Sequence, residues 1–107
     1  MKKVFVVNEK FTVLQLLYRW FISKGCEVRA FSTSQHLSAA LAESLPDIIV
    51  IDADLAYEDG SRLYTHLKNK FCGQVLMILF SALPGNLKNR KKEAAISDLL
   101  PQGFTVY

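Results

Sequence analysis

The sequence predicts an open α/β domain built on a doubly wound parallel sheet, and three observations carry that prediction. Short strand-like apolar runs alternate with segments whose apolar residues recur at three- and four-residue spacing, the pattern of βαβ units with right-handed crossovers. One run, Ile48-Ile49-Val50-Ile51, is continuous and follows the turn formers Pro46 and Asp47, as in a strand buried on both faces. It ends on one carboxylate, Asp52, at the strand's carboxyl end, where open α/β sheets place their ligand sites. Gly60 then permits a tight or left-handed turn in the loop that follows.

Lys3 to Val7 reads as the first strand. Phe11, Leu14, Leu17, Tyr18, Phe21 and Ile22 form a helical stripe, with Asn8 placed to cap its start and Gly25 where a left-handed residue closes helices. Glu27 to Phe31 alternates as a second strand. Ser32-Thr33-Ser34-Gln35 has capping-box form and introduces a short helix marked by Leu37, Ala40 and Leu41. Ile48 to Asp52 is the third strand. Ser61 caps a third helix carrying Leu63, Tyr64, Leu67 and Phe71, with Asp59 as a turn residue or cap of the same helix. Gly73 turns the chain into a fourth strand, Val75 to Ser81. After Pro84-Gly85-Asn86 comes a basic cluster, Lys88, Arg90, Lys91 and Lys92, which would sit unfavourably at a helix's positive end and so reads as a solvated loop. A helix near Glu93 to Leu100 and a short fifth strand, Phe104 to Tyr107, complete the pattern. Five strands and four helices fit a flavodoxin-like five-stranded parallel sheet of order 2-1-3-4-5 that lacks its last helix. One face would then rest on the first helix alone. That predicts cover by a second copy, by exchanged (domain-swapped) elements or by a partner.

The 107 residues, half of them apolar, suit a single domain spanning residues 1–107 with one core. Cys26 and Cys72 lack CxxC spacing and read as reduced thiols. No apolar run approaches the ~20 residues of a membrane span, and the Met-Lys-Lys-Val start lacks a signal peptide's apolar region. The expected compartment is the cytoplasm, without membrane contact. The net charge is +3, with a sequence pI near 9.0. The basic residues lie neither on a recognition helix nor among stacking aromatics, which argues against nucleic acid as a partner of this chain alone. His36 and His66 have no metal-ligand spacing and read as surface residues, and Trp20 as core or interface.

The stretch from Pro46 to Gly60 around Asp52, together with Asn8-Glu9 and Ser81-Ala82, resembles the receiver domains of two-component response regulators, and the resemblance runs over nearly the whole chain. It implies that Asp52 is a phosphoacceptor and that Ser81 contacts the phosphoryl group. It implies Mg²⁺ held by Glu9, Asp52 and the backbone carbonyl of Asp54, with Asn8 reaching the ion through water. Tyr107 matches an aromatic whose rotamer reports phosphorylation. The partner implied is a sensor histidine kinase or a phosphotransfer protein. The function implied is phosphoryl acceptance in a phosphorelay, and the domain is expected not to be an enzyme.

Three departures accompany the resemblance. Asn8 stands where the family usually has a second acid, which lowers the expected metal affinity. Ala56 replaces a Pro common in that loop. The family's Lys after the fifth strand is not reached before Tyr107, so the sequence reads as a receiver that is incomplete at its C-terminus. These departures support an alternative, a pseudo-receiver acting as a phosphorylation-independent interaction or dimerisation module. A flavin or nucleotide enzyme on the same fold would want a Gly-rich phosphate loop after the first strand, and Asn8-Glu9-Lys10-Phe11 has no Gly.

Overall fold

The computed structural model describes residues 1–53, 55, 59–81 and 105–106. Four strands and three helices alternate as β1 (Lys3–Val7), α1 (Phe11–Ser23), β2 (Glu27–Phe31), α2 (Ser34–Glu43), β3 (Ile48–Asp52), α3 (Gly60–Phe71) and β4 (Leu76–Ser81), and β5 (Thr105–Val106) follows. The sheet has the predicted order, β2-β1-β3-β4-β5. β1 pairs in parallel with β2 from Lys3↔Glu27 to Val7↔Phe31, and with β3 from Val4↔Ile48 to Val7↔Ile51. β3 pairs in parallel with β4 from Ile48↔Leu76 to Asp52↔Phe80. The carboxyl ends of the four strands therefore share one rim.

The period-2 geometry of the strands divides the core into two layers. Phe5, Val7, Ile49, Ile51 and Leu79 pack with Leu37, Leu41, Leu63 and Leu67 on the α2 and α3 side. Val4, Val6, Ile48, Val50, Ile78 and Phe80 pack with Leu17 and Phe21 on the α1 side. β3 is buried along all five residues, as its unbroken apolar run requires. Gly25, with φ +81°, follows α1 in the left-handed region that its sequence position predicts.

Several expectations are corrected. β5 runs antiparallel to β4, with Phe80↔Val106 and Ser81↔Thr105, so the sheet is not parallel throughout. An antiparallel pair needs no crossover that returns the chain to the sheet's far end, and a two-residue segment carries no sequence signal of its polarity. The N-cap of α1 is Lys10, not Asn8, and that of α2 is Thr33, whose hydroxyl accepts from the His36 backbone N–H at 3.2 Å. The cap of α3 is Asp59, accepting from the Ser61 N–H at 2.9 Å, rather than Ser61 itself.

The predicted helix near Glu93 to Leu100, the basic cluster and Tyr107 lie outside the described residues. On the α1 side of the sheet Val50, Ile78 and Phe80 are fully buried, while Leu76, at the start of β4 in the same series, is 50% exposed. Other large apolar groups left in solvent lie on α1: Phe11, 72% exposed, with Leu16, Tyr18 and Ile22. Cys26 is half-buried and Cys72 exposed, both free thiols, and both histidines are exposed. Among the described residues no helix is long and apolar enough to cross a membrane.

Leu17 fixes α1 to the sheet with no exposed surface. Leu17→Ala should lower stability by about 2–5 kcal/mol, read as a fall in the denaturation midpoint without a change in slope.

Candidate functional site at the carboxyl rim of the sheet

Strand register brings the site together. β1 and β3 pair at a constant offset, Val4 with Ile48 and Val7 with Ile51. One step further, the offset sets Asn8 beside Asp52. Both positions continue the even-numbered series that faces α1, Val4 and Val6 in one strand, Ile48 and Val50 in the other. The side chains meet: Asn8 Nδ2 donates to Asp52 Oδ2 at 2.6 Å, and both residues are only 1% exposed. They are the buried polar residues among those described.

Each member is held from behind. The Asn8 backbone N–H donates to the Phe31 carbonyl at 3.0 Å, and the Ala53 N–H to the Phe80 carbonyl at 2.7 Å, extending the sheet ladder past both strand ends. Asn8 Oδ1 accepts the Lys10 backbone N–H at 2.8 Å, an Asx turn leading into α1. Asn8 thus acts two residues before the helix cap with its oxygen, while its N–H serves the buried carboxylate. Among the described residues no buried side-chain polar atom lacks a hydrogen-bond partner.

Glu9 follows Asn8 at the same rim and is half-buried. It borders a hollow of about 350 Å³ together with Thr33, Gln35 and Leu55, between the end of β1 and the start of α2. A larger hollow, about 590 Å³, lies along α3 beside Arg62, His66 and Asn69, with no carboxylate among its described lining.

Asp54 lies outside the described residues. Ser81 ends β4 on the same rim, and its side chain is not among those described.

No cluster of three His, Cys, Asp or Glu side chains occurs among the described residues. Mg²⁺ needs fewer, because it keeps several waters and commonly takes one or two carboxylates together with phosphate oxygens. Glu9 and Asp52 stand at one rim, Asp52 in the series that faces α1 and Glu9 bordering the hollow near α2.

Gly60 has a role the sequence reading assigned differently. Its φ is not in the left-handed region, where Gly25 and Gly73 stand among the described glycines. A Cβ at Gly60 would overlap the Asp52 carbonyl oxygen and stand 2.8 Å from Ala53 Cα. The glycine lets the first residue of α3 rest directly on the end of β3. Asn8 was read as a helix cap, a place that Lys10 takes instead, and its direct bond to Asp52 was missed. The signal was present in the parity of the two strands, once they are taken as neighbours.

The family model for the response regulator receiver domain matches residues 4–103. Among solved structures, the fold is similar to the response regulator TrrA of Thermotoga maritima in complex with Mg²⁺-BeF, with TM-score 0.72 and 15% identity, covering 94% of this chain and 100% of that one. It is also similar to the CheY-like receiver domain protein of Methanospirillum hungatei, with TM-score 0.69 and 14% identity over 95% and 78% of the two chains. The chemotaxis response regulator CheY4 of Vibrio cholerae gives TM-score 0.66 and 18% identity over 88% and 79%. At such identities the structural likeness concerns the fold. No curated protein matches the sequence significantly.

Gly60→Ala should destabilise by about 1–3 kcal/mol through backbone displacement at Asp52. In an NMR amide spectrum the largest shift changes should fall at residues 52, 53 and 60; changes confined to α3 would contradict the close approach.

Proposed function

The chain belongs to the response regulator receiver domain family, and from that premise we propose that Asp52 accepts a phosphoryl group from a phosphohistidine of a sensor histidine kinase or phosphotransfer protein. The observation that carries this reading is the position of Asp52: a single acid at the carboxyl end of the fully buried β3, oriented by Asn8 and on the same rim as Glu9. Phosphoryl transfer depends mostly on positioning and charge neutralisation. A carboxylate held in one orientation meets the first requirement.

In the reaction an Asp52 carboxylate oxygen attacks phosphorus in line. The P–O bond to Asp52 forms as the P–N bond to the donor imidazole breaks, and the bond electrons leave with the imidazole, which takes up a proton. The product is an acyl phosphate. Glu9, Asp52 and the backbone carbonyl of Asp54 are the groups that would hold Mg²⁺, whose charge offsets the repulsion between the carboxylate and the incoming phosphoryl group. Ser81, at the end of β4, donates its hydroxyl to a phosphoryl oxygen. Asn8 keeps the nucleophile in register while α3 and the β3 end, joined at Gly60, hold it from below. In this reading the domain is a phosphoryl acceptor in the cytoplasm, not an enzyme, in keeping with its two free thiols.

A second reading, a phosphorylation-independent interaction module, is favoured by one observation. Asp52 is 1% exposed and bonded to a neutral amide, as a structural acid of the core would be.

Incubation with a small-molecule phosphodonor and Mg²⁺, followed by intact-mass spectrometry, separates the two. The expected result is one phosphoryl adduct, absent in Asp52→Asn and absent when EDTA replaces Mg²⁺. Folded wild type that acquires no adduct would instead assign the chain to the second reading.

A further inference from the structure

We propose that Asn8 is a positioning residue of this site, holding the Asp52 carboxylate in one orientation without a bound cation, so that the metal-free site is already ordered. The inference rests on the assignment of Asp52 and Glu9 as the acids of the proposed site. Its test uses no phosphoryl donor, so a failure of phosphoryl acceptance and a failure of this role are separate results.

Asn8 Nδ2 donates to Asp52 Oδ2 at 2.6 Å, and Asn8 Oδ1 accepts the Lys10 backbone N–H at 2.8 Å. These bonds fix the amide's orientation. Turned over, it would set an oxygen against a carboxylate oxygen and an N–H against an N–H. The pair is 1% exposed at both residues, so water contributes little to holding it. The contact spans two strands and ties the acid to the chain that enters α1.

An aspartate at position 8 would have the same shape and keep the acceptor for the Lys10 N–H. It would, however, present a second anionic oxygen where Nδ2 now stands against Asp52. Two carboxylates sharing a buried site oppose each other's ionised forms, and a cation between them removes the conflict. Asn8 removes it with a fixed donor instead. The same substitution that relieves the metal-free state takes a ligand away from the metal-bound one, so Asn8 sets both the rigidity of the empty site and its weak hold on cations.

The test compares the full chain as wild type, Asn8→Asp and Asn8→Ala by thermal unfolding in EDTA and in Mg²⁺. Wild type should melt at nearly the same temperature in both. Asn8→Asp should melt several degrees lower in EDTA, recover in Mg²⁺, and bind Mg²⁺ about tenfold or more tightly than wild type, a change of the size seen when groups around metal ligands are altered. Asn8→Ala should melt lower in both conditions without selective recovery, which separates positioning from simple packing. The proposal is overturned if Asn8→Asp is as stable as wild type in EDTA, or if Mg²⁺ raises all three by the same amount.

Should Asn8→Asp not fold, the wild type alone decides. In EDTA the Asn8 side-chain amide should exchange with solvent far more slowly than that of the exposed Asn69, and exchange as fast as at Asn69 would overturn the assignment.

Discussion

A carboxylate removed from water needs hydrogen-bond donors close at hand, since its desolvation is among the most costly events in folding. In this domain a donor for Asp52 comes from the neighbouring strand, and the requirement reaches well beyond the pair. β1 and β3 must end level, which fixes their register. The peptide after each strand must stay in the ladder, as the bonds from Asn8 to Phe31 and from Ala53 to Phe80 achieve. The chain leaving β1 must turn at once into α1, as the Asx turn at Lys10 brings about. The rim is thus organised around one buried acid.

The two-layer core explains why the site can be rigid where it is. Even-numbered residues of β1 and β3 face α1, and odd-numbered ones face α2 and α3. Asn8 and Asp52 extend the even series and lie over a tightly filled layer, with Leu17, Phe21 and Phe80 beneath. Glu9, one residue on, borders the hollow near α2. Successive residues at one strand end therefore face different surroundings: Asn8 meets the buried acid, while Glu9 lines the hollow.

The central strands were legible in the sequence because a buried parallel strand and an alternating edge strand leave distinct patterns. β1, β2 and β3 have the boundaries that those patterns predict. Helix caps were less legible. Ser32 and Thr33, or Asp59 and Ser61, have similar local preferences, and the choice between them depends on the direction from which the chain arrives. Asn8 shows why a residue's two ends must be read apart: its oxygen accepts the Lys10 N–H at the entry to α1, while its N–H goes to the buried carboxylate of the neighbouring strand. The polarity of β5 was not legible because a two-residue strand carries no directional signal. Asp52 itself was visible from topology alone, since an acid ending an unbroken apolar strand has few other places to be. Its partner required knowing which strands are neighbours and in what register, information that pairing supplies and composition does not.

The close approach at Gly60 has a mechanical consequence. With no side chain between them to act as a compliant spacer, the first turn of α3 and the peptide of Asp52 behave as one solid joint. Any force that shifts the acid is delivered undamped to the base of that helix, and any load on the helix returns to the acid by the same route.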